Sequence, residues 1–120
     1  MVAVKQIMIA VCLADGTVDD TEVVRIQAIY ERLTGTRVGE QDLREEIAEV
    51  SKGAVPLFEL VERLAGQLNE SGKETAISSA YLIAAADGEV DADEMALIQQ
   101  IAERMGMSPA HLNGVIAGLS

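Results

Sequence analysis

Apolar residues return every three or four positions in seven stretches of the chain, a period that belongs to helices with one buried face. The stretches run approximately from Ala3 to Ala14, Asp20 to Leu33, Glu40 to Val50, Pro56 to Asn69, Gly72 to Ala86, Ala92 to Met105 and Pro109 to Ala117. Alternation of period two is not sustained in any window, so no strand is predicted. Gly and Pro fall mostly between the stretches. Pro56 and Pro109 stand where a first helical turn accepts proline, the latter just after Ser108 as N-cap. The unbroken apolar run from Ile7 to Ala14 is about half of what spans a bilayer, and it predicts a core helix.

The same pattern occurs twice. Asp15-Gly16-Thr17-Val18-Asp19-Asp20-Thr21-Glu22 returns 72 residues later as Asp87-Gly88-Glu89-Val90-Asp91-Ala92-Asp93-Glu94, and register holds through Ile26/Ile98, Gln27/Gln99, Ile29/Ile101, Glu31/Glu103 and Arg32/Arg104. A helix-turn-helix unit used twice brings the same turn to the same place in each copy. The expected architecture is all-α, about seven helices in a single domain over residues 1–120, with an internal tandem repeat and pseudo-two-fold symmetry. The repeat units cover about 3–37 and 75–117, joined by connecting helices over about 38–70.

Composition narrows the picture. With 120 residues, 49% of them hydrophobic, the chain can bury a core without staples. Tyr30, Phe58 and Tyr81 are the only aromatics, so aliphatic side chains must fill that core. A net charge of -11 repels phosphate backbones and anionic lipid heads, which argues against nucleic acid and against direct membrane attachment, and favours cations or basic protein surfaces. Cys12 is the sole cysteine and is expected to be an inert core residue. Neither a disulfide nor a thiolate cluster can form within the chain, and a reducing cytoplasm is the expected location.

The two turns hold nine carboxylates and not one Lys or Arg. Part of that is architecture. Asp19 and Asp91 fit as N-caps, Glu22 and Glu94 complete capping boxes, and Val18/Val23 and Val90/Met95 fit as hydrophobic staples. Gly16 and Gly88 fit the left-handed residue that closes the preceding helix. Capping does not explain Asp15 and Asp87, each at a helix C-terminus where the dipole disfavours negative charge by about 0.3–1 kcal/mol. A solvated Asx-type turn is one account of them. The other is a hard cation such as Ca²⁺, which takes about six to eight oxygen ligands that two acidic turns could supply together. This is not an EF-hand, since Gly stands second and Glu eighth in the turn, where that loop needs sixth and twelfth.

Small and apolar residues, then Ala-Asp-Gly-x-Val-Asp-x-x-Glu, then an Ile-x-x-Ile helix, used twice in an all-helical chain, resemble the TerB family of tellurite-resistance proteins. The second copy, from Ala84-Ala85-Ala86-Asp87-Gly88 through Glu94 and on to Ser108, carries the closest match. The resemblance covers nearly the whole chain. It implies a compact fold of about seven helices with pseudo-two-fold symmetry and a non-enzymatic cytoplasmic protein linked to tellurite and other chemical stress. It also implies divalent-cation binding, Ca²⁺ or else Mg²⁺ or Mn²⁺, through clustered acids. The residues carried over are Asp15, Asp19, Glu22, Asp87, Asp91 and Glu94. Related domains include one in a membrane-anchored J-domain co-chaperone, so protein partners of the tellurite-resistance system and a homo-oligomer are both compatible with it. A metal-indifferent interaction or self-association module is the alternative. The chain lacks the charged N-terminal extension of the tellurite-resistance protein itself.

The remaining candidates are weaker. His111 is the only histidine and is expected on the surface in the first turn of the last helix, with no second His or Cys nearby in sequence to form a zinc or catalytic set. Ser71, Ser78 and Ser79 lack an identifiable activating base. Met105 and Met107 read as core fillers, and no glycine-rich phosphate loop is present. Metal-assisted hydrolysis needs only acids and water, yet the usual accompanying His, Lys or Arg is missing from both turns.

Overall fold

Two helices form the centre because each contains a run of residues that leaves no polar face to turn outward. The computed structural model describes residues 2–14, 18–53, 55–86 and 88–119. They form α1 (Val2–Ala14), α2 (Asp20–Thr34), α3 (Glu40–Gly53), α4 (Leu57–Ala65), α5 (Glu70–Ala85), α6 (Ala92–Arg104) and α7 (Pro109–Ala117), with no strand among the described residues. In α1 every side chain from Ile7 to Cys12 is buried, none more than 7% exposed. In α5 the five consecutive residues Ala76 to Ala80 are buried, and Ser79 is accommodated by donating its Oγ–H to the Ala76 carbonyl at 2.6 Å. A helix apolar on all sides belongs inside, and α1 and α5 pack on each other there as the most extensive helix pair of the fold.

The outer helices carry one apolar stripe each. In α2, Val23, Ile26 and Tyr30 face the core at i, i+3, i+7 spacing, and in α6 Ile98, Ile101 and Ala102 do so at i, i+3, i+4. The helix α3 packs on α1 and α2, and α7 packs on α5 and α6, so these two hold corresponding places in the two halves of the chain. Between the halves, α4 packs on α1 and α6. Arg104 of α6 fastens it, its guanidinium 5.3 Å from the centroid of the Phe58 ring and its Nη1 2.5 Å from Glu62 Oε1. The Cα radius of gyration of 13.1 Å matches the roughly 13–14 Å of a compact domain of this length.

Helix ends differ from the sequence expectation mainly around α4 and α5. The periodic stretch from Pro56 to Asn69 contains only nine helical residues, Leu57–Ala65, with Pro56 as N-cap rather than first-turn residue. Asn69 belongs to the next helix. Its side chain accepts from the Gly72 amide at 2.7 Å, so α5 starts at Glu70 rather than Gly72. At the far end of the preceding segment, α3 runs on past Val50 to Gly53. Gly35 and Gly106 follow α2 and α6 with φ of 72° and 78°, a left-handed conformation that only glycine adopts cheaply.

Candidate functional site

The acidic turn before α6 is built from its caps outward. The Asp91 side chain accepts from the Glu94 amide at 2.7 Å, and Glu94 Oε1 accepts from the Asp91 amide at 3.2 Å, closing a full capping box. Gly88, with φ of 124°, donates its N–H to the Ala85 carbonyl at 2.9 Å and so ends α5. In the first copy, the Asp19 side chain accepts from the Glu22 amide at 2.9 Å. The return bond from the Asp19 amide to Glu22 is not formed, so among the described residues the reciprocal box exists only in the second copy. The staple before α2 has its counterpart in a cavity lined by both Val18 and Val23.

The box before α6 uses one oxygen of each carboxylate, Asp91 Oδ1 and Glu94 Oε1. Asn is about as good an N-cap as Asp, so Asp91→Asn is expected to leave stability within a few tenths of a kcal/mol. Asp91→Ala is expected to cost about 1 kcal/mol. Urea midpoints of the two variants, taken without added cation, check this.

Charge compensation separates the two turns, which the sequence does not reveal. Arg44 reaches across from α3, its Nη2 2.7 Å from Asp20 Oδ1 and its Nε 3.3 Å from Glu40 Oε2. The hydrogen bond to Asp20, then that to Glu40, raises the guanidinium pKa further above its ordinary value. The expectation of two uncompensated turns therefore needs correction at Asp20. In the second turn, Glu89, Asp91, Asp93 and Glu94 have no ion-pair partner among the described residues.

That second turn lies against both central helices. Asp93 and Glu94 line a cavity of about 110 Å³ together with Val11 of α1, Ala80 and Ala84 of α5, and Leu97 and Ile98. Val11 stands three residues, about 4.5 Å of helix, before the end of α1. Asp15, which directly follows α1 in sequence, and Asp87 lie outside the described residues, as does Gly16. Among the described residues no three His, Cys, Asp or Glu side chains are already grouped to hold a metal ion.

His111 is the contact that sequence reasoning missed. It sits in the first turn of α7 as expected, its amide bonded to Ser108 Oγ at 3.2 Å. Its ring, however, ties α7 to α5, with Nε2 2.6 Å from Glu74 Oε2 and Nδ1 3.9 Å from Glu70 Oε2. Two glutamates four apart on one helix face were the available signal. Cys12 is buried at 2% exposure, and Met105 and Met107 are core residues at 3% and 6%. No helix among the described residues is long and apolar enough to cross a membrane.

A family model described as "Tellurite resistance protein TerB" matches residues 1–115. No curated protein and no solved structure shows significant similarity to the chain.

Proposed function

Because the chain belongs to the TerB family, matched over residues 1–115, we propose that it is a non-enzymatic stress-response protein of the tellurite-resistance type, acting in the cytoplasm and binding a divalent cation at its acidic turns. The observation that carries this reading is the second turn, where Glu89, Asp91, Asp93 and Glu94 follow within six residues of sequence without a cationic partner among the described residues. Hard cations are held by oxygen donors of this kind, and the capping box fixes the backbone of Asp91 and Glu94 before any ion arrives. In this reading Asp91 and Glu94 offer the oxygens left over from capping. In the same reading Asp87, two residues after α5 in sequence, adds a further carboxylate, and a cation held there offsets the helix dipole. Asp15, Asp19 and Glu22 contribute the same set from the first copy, and Ca²⁺ is the first choice of ion, with Mg²⁺ or Mn²⁺ next.

A cation that binds only the folded protein stabilises it by RT ln(1 + [L]/Kd), about 2.7 kcal/mol at a hundred times Kd. Thermal melts in millimolar CaCl₂ are expected to shift upward beyond a control matched in ionic strength with NaCl. Coincident melts would favour a metal-indifferent interaction module instead. Protein partners of the tellurite-resistance system and self-association are compatible with either outcome.

A further inference from the structure

The first half of the chain holds a polar pocket with no lining residue from either acidic turn. It lies between α1, α3 and the start of α4, measures about 270 Å³, and has Gln6, Glu46, Glu49, Val50, Val55 and Leu60 in its walls. Glu46, Glu49 and Val50 share one face of α3 at i, i+3, i+4 spacing. Leu60 is buried, whereas the other five side chains are half-buried or exposed, so the pocket opens to solvent. Lys5 Nζ reaches Glu46 Oε1 at 2.8 Å from α1, an ion pair whose side chains are 15% and 29% exposed. Glu46 Oε2 is shut off from solvent and has no hydrogen-bond partner, the one buried side-chain oxygen or nitrogen so placed among the described residues. A carboxylate oxygen left desolvated and unbonded costs stability, which a donor arriving from outside would recover. Beside it, Gln6 and Glu49 have no partner among the described residues either.

We propose that this pocket binds the ammonium group of a small primary alkylamine. Donors and acceptors match: the ammonium carries three N–H bonds and no acceptor, and the pocket offers Glu46 Oε2, the Glu49 carboxylate and the side-chain carbonyl of Gln6. The last torsion of a glutamate side chain is soft, so a small turn of the Glu46 carboxylate presents Oε2 to the pocket while Oε1 stays within reach of Lys5. The alkyl chain lies on Val50 and Val55 above Leu60. Other ligand classes fit less well. Two carboxylates with no Lys or Arg in the lining repel anions, and the net charge of -11 draws cations. A quaternary ammonium has no N–H to give and is held by aromatic faces, yet no aromatic residue lines the pocket. A bare Ca²⁺ needs about six to eight oxygens, and no three His, Cys, Asp or Glu side chains are grouped to hold an ion among the described residues. The volume falls just below the roughly 300–1,000 Å³ of clefts for drug-sized ligands, so the amine is a small one.

The test is a titration of the whole protein with n-butylammonium chloride at constant ionic strength, followed by amide NMR shifts. Saturable shifts are expected at Gln6, Glu46, Glu49, Val50 and Leu60, and none at Asp91 to Glu94, where an ammonium that sought only negative charge would collect. Tetramethylammonium carries the same charge without an N–H and is expected to bind at least about tenfold more weakly. Glu49→Gln, at an exposed and unpaired site, is expected to fold normally and to weaken butylammonium binding about tenfold. Glu46→Gln is expected to abolish binding. Should that variant fail to fold for want of the Lys5 ion pair, Glu49→Gln decides alone. The absence of saturable shifts in the pocket, equal binding of tetramethylammonium, or unchanged affinity in the Glu49→Gln protein would overturn the proposal.

Discussion

Ile77→Ala is expected to destabilise the protein by about 2–5 kcal/mol, because it removes three carbons from a fully buried side chain at the centre of the fold. Ile77 lies in the run Ala76 to Ala80, where α5 is enclosed on all sides and faces α1, α2, α6 and α7. Backbones that are pinned by neighbours on every side cannot collapse into the void, so the cavity cost adds to the lost transfer free energy. Domains of this size hold about 5–15 kcal/mol in total, so one such truncation removes a large share of it. Urea unfolding measures the effect as a lower midpoint at unchanged slope. Val24→Ala serves as the control. Val24 is 60% exposed on α2, and its truncation is expected to stay within about 0.5 kcal/mol.

The capped turn before α6 and the buried run of α1 were legible in the sequence because they are local. Asp91 and Glu94 are three residues apart, and a capping box needs nothing further away. The break between α4 and α5 was not legible. Leu57, Leu60, Val61, Leu64 and Leu68 keep a helical period through the turn, and period alone cannot show that Asn69 caps the following helix. Contacts across the chain were hidden for a different reason. Arg44 and Asp20 are 24 residues apart, and His111 and Glu74 are 37 apart, so only the packing of α3 on α2 and of α7 on α5 brings them together.

The turn residues divide into those that hold the helix and those that capping leaves unexplained. Asp91 and Glu94 would be retained for the box alone. Asp15 and Asp87 gain nothing from it: one directly follows α1 in sequence and the other comes two residues after α5, and further carboxylates follow each within a few residues of sequence. In the proposed reading these two charges cost stability without a cation and become ligands when one is bound. Their removal should therefore act in opposite directions in the two conditions. That reversal separates ligation from a general screening of negative charge, since screening would raise the stability of any acidic protein whichever carboxylates it carried.

The decisive measurement is the urea midpoint of the Asp15→Asn/Asp87→Asn protein beside the unaltered one, each in calcium and in NaCl of equal ionic strength. The double variant is expected to be the more stable of the two in NaCl, and to lose the gain that calcium confers on the unaltered protein. A double variant that gains as much from calcium as the unaltered protein would contradict the assignment of Asp15 and Asp87 as ligands, and with it the cation-binding account of the turns.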